Sequence, residues 1–202
     1  SSFKSKIFVA YNRRFFNSIK EVKKIIENDG GLQSMFFEFT EWIHLIEKID
    51  KVEENKNLFF VNSTHVIDLA FFIAGKPTKW ETFTKKGEID WHPISQFSGS
   101  GITDKNVLFS YITNWESSGR WSIELFTNKR RIYLKPLEKI FIQEKGSVEL
   151  KEYKLSNSTR DEFKDGLLDQ VLSFLDDDYN YLLDFDEHIW NTKNIYSKIL
   201  NK

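Results

Sequence analysis

The sequence contains no cysteine, which excludes disulfides and thiolate chemistry and makes a reducing cytoplasm the easier home. No apolar run approaches the ~20 residues of a membrane span, and no secretory signal opens the chain. Neither sign of charge prevails. The 29 Lys and Arg are scattered among 30 Asp and Glu, for a net charge of −1, and no basic stripe suggests nucleic acid as a partner. The four histidines, at 44, 65, 92 and 188, have no recognised ligand spacing, so no metal site is expected. Internal repeats and low-complexity tracts are also missing.

What is present points to one soluble domain. At 202 residues the chain is long enough for a well-formed core and short for two, and 40% hydrophobic with 29% charged residues is a globular composition. Aromatics are many, with 19 Phe, 7 Tyr and 6 Trp. They suit a sheet with one face in a core and the other in an interface or a sugar-binding cleft.

The most informative stretch runs from 62 to 77. Asn62 or Ser63 can cap a helix, Gly75 can take its left-handed exit, and Pro77 forbids continuation. Nearly everything between is apolar, so the helix should be buried on most sides. His65 and Asp68 interrupt it, three apart and neighbours on one face. Burying either without a partner costs roughly 2 kcal/mol or more.

The rest of the chain can be read around that helix. Lys6-Ile7-Phe8-Val9-Ala10-Tyr11 is expected as a strand buried on both faces, followed by Asn12-Arg13-Arg14 and a helix opened by the capping box Ser18-Ile19-Lys20-Glu21. Strand, turn and helix make half a βαβ unit, so the chain is expected to begin inside a larger fold. Residues 35–44 read as a long strand placing Glu38, Thr40, Trp42 and His44 on one face. Seven further strands are expected at 80–84, 96–103, 107–115, 121–127, 131–135, 139–143 and 148–153, antiparallel because their links are short. Gly99 and Gly101 inside one of them mark a bulge or a close backbone approach. A second capping box, Thr159-Arg160-Asp161-Glu162, opens a helix ended by Asp176-Asp177-Asp178, and a last helix covers 187–200. The expected fold class is α+β, an open and mostly antiparallel sheet with helices on one face.

Phe8-Val9-Ala10-Tyr11-Asn12-Arg13-Arg14-Phe15, the Ser63-Thr64-His65-Val66-Ile67-Asp68-Leu69 helix, the antiparallel sheet and the helix at 162–175 together resemble the C-terminal half of the Gfo/Idh/MocA oxidoreductases. Order and spacing match over essentially the whole chain. The resemblance implies an NAD- or NADP-dependent enzyme acting on a sugar, sugar nucleotide or polyol, with a Rossmann domain before this one and an oligomer interface on the open sheet face. It divides the chain into residues 1–30, a remnant of the dinucleotide-binding domain with its connecting helix, and 31–202, the substrate-binding and oligomerisation domain. No Gly-x-Gly-x-x-Gly follows a strand, and the family's Glu-Lys-Pro segment is absent; Lys76-Pro77 lies beyond the histidine helix. The fragment is therefore expected to bind no cofactor and to transfer no hydride alone. The alternative is a non-catalytic ligand-binding or oligomerisation module that has kept the fold.

Within that frame the resemblance makes His65 the residue that handles the substrate hydroxyl proton, a task for a group poised near neutrality. Asp68 is its candidate orienting partner, or else half of a salt bridge. Many relatives carry an aspartate four residues before the histidine; here the position is Val61, and Asn62 is the nearest polar substitute, or only a cap. Arg13 and Arg14, with Asn12, sit where the first strand ends, and an arginine there can grip a phosphate or carboxylate or bridge two domains. Trp42 is a candidate sugar platform or interface residue. For Trp115 and Trp121, packing or an interface is the preferred reading, and His92 is read as a loop residue.

Overall fold

Strict alternation of side chains builds the sheet. In the strand Leu108–Asn114, Phe109, Tyr111 and Thr113 are buried while Leu108, Ser110 and Ile112 are exposed, so one face is core and the other open. A computed structural model describes residues 6–46, 48, 55–155 and 164–201. Its strands are β1 (Phe8–Val9), β2 (Ser34–Glu38), β3 (Pro77–Lys85), β4 (Gln96–Thr103), β5 (Leu108–Asn114), β6 (Ser122–Phe126), β7 (Arg130–Leu134), β8 (Ile140–Glu144), β9 (Lys151–Tyr153) and β10 (Leu183–Asp184). Eight of them form one sheet in the order β3-β4-β5-β2-β6-β7-β8-β9. Every pairing in it is antiparallel except β2 with β5. The α+β architecture and the seven later strands agree with the sequence reading.

The helices are α1 (Asn17–Asn28), α2 (Ile43–Ile46), α3 (Thr64–Ala74), α4 (Leu167–Leu175), α5 (Phe185–Asn191) and α6 (Ser197–Ile199). Helix α3 packs on β2 on one side and on a 3-10 turn, Asn12–Phe15, on the other, so Val66, Ile67, Leu69 and Ala70 are wholly buried. Aromatic contacts tie it to the sheet: Phe71 meets Phe37 at 5.6 Å and Phe109 at 5.1 Å between ring centroids. Such pairs add about 0.5–1.5 kcal/mol each beyond the area they bury. Gly75 ends α3 with φ +92°, and a Cβ there would lie 2.3 Å from Asp104 Oδ1. The close approach expected in β4 is also present: a Cβ on Gly101 would meet Trp80 and the Lys79 carbonyl of β3.

Several local expectations change. The strand expected over 35–44 stops at Glu38, and residues 39–42 lead into α2, so Glu38, Thr40, Trp42 and His44 share no strand face. Ser18 does not cap α1; its hydroxyl donates to the Leu137 carbonyl at 2.6 Å, and Phe16 stands at the cap position without a side-chain bond. Neither Asn62 nor Ser63 caps α3, because a π-helical turn at Phe59–Ser63 carries the helix further back. The capping box at 159–162 lies outside the described residues.

The first strand is short and half-buried, and it pairs antiparallel with β10 near the chain's other end. Ile19, Val22 and Ile25 of α1 belong to the same core as the sheet, so packing continues across residue 30. The large exposed apolar residues include Phe83, Leu108 and Ile112 on the sheet's open face and Leu167, Val171, Phe174 and Leu175 along α4.

Candidate functional site

The site is assembled where α3 begins. A π turn takes about one residue more than an α turn, which resets side-chain directions across it. Asn62 and Ser63, which would otherwise serve as caps, both reach Glu41. Ser63 Oγ donates to Glu41 Oε1 at 2.7 Å and Asn62 Nδ2 to Oε2 at 2.8 Å. From the far side, Trp121 Nε1 donates to Oε1 at 3.1 Å and an Arg120 amino group to Oε2 at 3.2 Å. Glu41 is 1% exposed. Burial pushes its carboxyl up to about 7, against the pull of these four donors.

Sequence reasoning missed Glu41. Read as part of a strand, it falls on the face opposite Glu38, Thr40 and Trp42, and its four partners lie at least 21 positions away. The available signal was a carboxylate in a run otherwise dominated by Phe, Trp and Ile, which needs donors wherever it is buried.

His65 stands one step along α3. Its ring meets Tyr11 edge-on at 4.8 Å between centroids and lies 6.4 Å from Trp121. Nδ1 is buried and has no hydrogen-bond partner among the described residues. Burial pulls its pKa down to about 3, helped by the positive charges of Arg13 and Lys164. The imidazole is thus neutral throughout the physiological range, with a ring nitrogen that no described residue engages. Because the helical run begins before α3, burial rather than a place in the first turn causes this neutrality.

Asp68 does not orient His65. Both its oxygens are taken by Arg14, whose Nε and amino group donate at 2.8 and 2.7 Å. Arg14 is itself buried, and although burial opposes its charge, Asp68 raises its pKa above the ordinary value. The reading of Asp68 as a catalytic partner and of Arg14 as a substrate ligand is therefore corrected: they are a core ion pair. Trp115 is likewise packing, its indole donating to the Phe39 carbonyl at 3.2 Å. His92 is a loop residue whose Nδ1 lies 2.5 Å from the Ile94 carbonyl.

Arg13 goes the other way. Successive residues of a 3-10 turn point about 120° apart, so neighbours in sequence part company. Its guanidinium lies over the Trp121 ring at 5.1 Å, and one amino group donates to Asn12 Oδ1 at 3.0 Å. Asn12 is buried and held by the Asp165 carbonyl at 3.1 Å, which makes it a support for Arg13. Arg120 lies over both Trp121, at 4.8 Å, and Trp42, at 4.7 Å. Trp42 is 45% exposed, with its indole N–H on the Gly119 carbonyl at 2.9 Å. The structure thus gathers His65, Arg13, Asn62 and Trp42 around Trp121, Arg120 and Glu41, and sets Asp68 and Arg14 apart.

Among the described residues no group of three or more side chains could hold a metal ion. No helix is long and apolar enough to cross a membrane. Nor do the glycines of the described residues supply a pyrophosphate cradle. The one Gly pair with positive φ, Gly30-Gly31, follows a helix and precedes a strand, the reverse of the strand–glycine–helix order that cradles a pyrophosphate.

No protein-family profile and no curated protein matches the sequence. Solved structures do match. A dehydrogenase (MviM) from Clostridium difficile superposes with a TM-score of 0.69 at 18% identity, over 96% of this chain and 61% of its own. An oxidoreductase from Thermotoga maritima gives 0.68 at 11% identity over the same shares. Levoglucosan dehydrogenase, solved with NADH and levoglucosan, gives 0.56 at 14% identity over 72% of this chain and 46% of its own. The chain spans 46% to 61% of the length of such structures. The fold is therefore one that this chain shares with part of these solved dehydrogenase and oxidoreductase structures, as the resemblance in the sequence led one to expect.

Proposed function

We propose that this chain is the substrate-binding and oligomerisation half of an NAD- or NADP-dependent oxidoreductase that acts on the CH–OH group of a sugar, sugar nucleotide or polyol. The observation that carries the reading is His65, a neutral imidazole with an unengaged Nδ1 beside charged and aromatic side chains. Such a nitrogen can accept the hydrogen bond of a substrate hydroxyl and so hold the reacting CH–OH group; with its pKa near 3 it departs from the poised proton carrier that the resemblance implies, and in this reading another group takes the proton. Asn62 and Trp42 are the neighbouring polar and aromatic contacts for the sugar. The dinucleotide would be held outside the described residues.

The apolar stripe of α4 supports a further domain, since Leu167, Val171, Phe174 and Leu175 would otherwise face water. In this reading residues 1–30 join the two halves. The open sheet face, with Phe83, Leu108 and Ile112, would then pair with a second copy. The decisive experiment is turnover by the full-length protein carrying His65→Ala. Loss of about 10²-fold or more in kcat supports the assignment, and unchanged turnover removes His65 from the reaction.

One observation favours the second reading, a non-catalytic ligand-binding or assembly module. Val61, at the position where many relatives carry an aspartate, is 60% exposed and brings no acid–base group. An N-terminal extension of the gene without a glycine-rich turn and lysine would select that reading.

A further inference from the structure

We propose that Arg13 and Arg120, lying over Trp121 beside His65, bind an acidic group, a carboxylate or a phosphate, on the molecule that occupies this site. The inference rests on the substrate-binding reading above and narrows it from sugars in general to acidic ones.

The argument begins with unused donors. A guanidinium carries five N–H groups in a planar fork. Arg13 engages one of them among the described residues, and the acceptor is the neutral amide oxygen of Asn12. It is half-buried and forms no ion pair with any described carboxylate. Arg14 shows what the same turn does when an arginine is meant for the core: it takes a bidentate carboxylate. Arg13 has the cost of partial burial without that compensation.

The neighbouring charges sharpen the contrast. Arg120 also engages a single N–H, on Glu41, and its charge bears on Arg13. Lys164 adds a third positive charge close enough to disfavour protonation of His65. Against these stand Glu138, which acts on Arg13 from an exposed position, and Glu41, whose oxygens already serve Ser63, Asn62 and Trp121. Positive charge is therefore in excess around Trp121, with the two guanidinium groups 5.1 and 4.8 Å from the centroid of its ring. A planar or tetrahedral oxyanion matches the free fork edges. An anion there would also sit beside the neutral imidazole, and so fix which end of a sugar acid meets His65.

The test is binding to the 202-residue chain by calorimetry, with glucose, glucuronate and glucose 1-phosphate as probes. The expected result is that at least one acid binds about tenfold or more tightly than glucose at low salt. The advantage should shrink at roughly 0.5 M salt, and the better acid identifies carboxylate or phosphate. Arg13→Gln should abolish the preference and Arg13→Lys should retain part of it, with thermal unfolding as the check on folding. Equal binding of glucose and both acids, an unaltered preference in Arg13→Gln, or no binding of either acid overturns the proposal. Equal binding with turnover by the full-length protein would leave the oxidoreductase reading standing. An acid preference without turnover would remove that reading and keep the anion site.

Discussion

Arg14 and Asp68, 54 positions apart, meet through two hydrogen bonds of 2.8 and 2.7 Å in a place where both side chains are buried. The pair fastens the turn after β1 to the middle of the most buried helix. The Phe72 ring lies against the guanidinium at 4.5 Å from its centroid. Either charge alone would be intolerable there, so the two are retained together or lost together.

Removing one partner should therefore be far worse than removing both. Arg14→Met and Asp68→Leu are each expected to cost about 3–5 kcal/mol, and the double variant to recover much of that loss. Urea unfolding of the four proteins measures the coupling. Additive losses would show that the pair is not a unit.

Stability should carry the signature of His65 on the acid side. Its pKa lies near 6.5 in the unfolded chain and about 3 in the folded one. Between those values the unfolded chain binds a proton that the folded chain refuses, so this contribution is full above pH 6.5 and falls as pH drops toward 3. His65→Gln should flatten that part of the curve in pH-dependent denaturation.

Glu41 should tilt the curve in the opposite sense over an overlapping range. Its carboxyl titrates near 4.5 unfolded and about 7 folded, with burial as the leading cause. The folded chain now holds the extra proton, so stability declines as pH rises from 4.5 to 7 and levels off beyond. Glu41→Gln is expected to remove the slope. Glu41→Ala, which strands the donors of Ser63, Asn62 and Trp121, should cost about 3 kcal/mol or more.

Gly75→Ala meets two obstacles, a positive φ and the side chain of Asp104. A loss of about 1–3 kcal/mol is expected by thermal unfolding. Gly146→Ala, where nothing lies within 4 Å, should cost only the backbone strain and so less.

On the sheet's open face, Ile112→Asp should leave folding intact and convert an oligomer to monomers. Sedimentation of the wild-type and variant chains checks this, and an unchanged oligomer would move the interface elsewhere.

The sheet was legible because strands β3 to β8 are runs of aromatic and β-branched residues, and brief polar turns such as Asp104-Lys105-Asn106 and Thr127-Asn128-Lys129 part several of them. The site was legible only in part. His65 stood out as a polar residue in an apolar helix, Asn62 as the polar residue nearest the missing aspartate, Arg13 as the end of the first strand, and Trp42 as an aromatic among polar neighbours. No pattern could tell Arg13 from Arg14, because the choice between core and surface depends on a tight turn whose partner, Asp68, is 54 residues on. Glu41 stayed hidden because Phe37-Glu38-Phe39-Thr40-Glu41-Trp42 imitates a strand beyond the point where β2 ends.

The π turn at Phe59–Ser63 works as a register peg between two sets of side chains. Everything before it is rotated by roughly 100° relative to an uninterrupted α-helix. Deleting a single residue there, such as Val61, would let the helix close up. Phe59 could then keep its packing on Phe39 and Phe97 only by swinging Asn62, Ser63 and His65 off Glu41, Tyr11 and Trp121, or give up that packing and leave them in place. One surplus residue thus fixes the angular setting between the aromatic core and the helix face that carries the imidazole and the donors to the buried carboxyl.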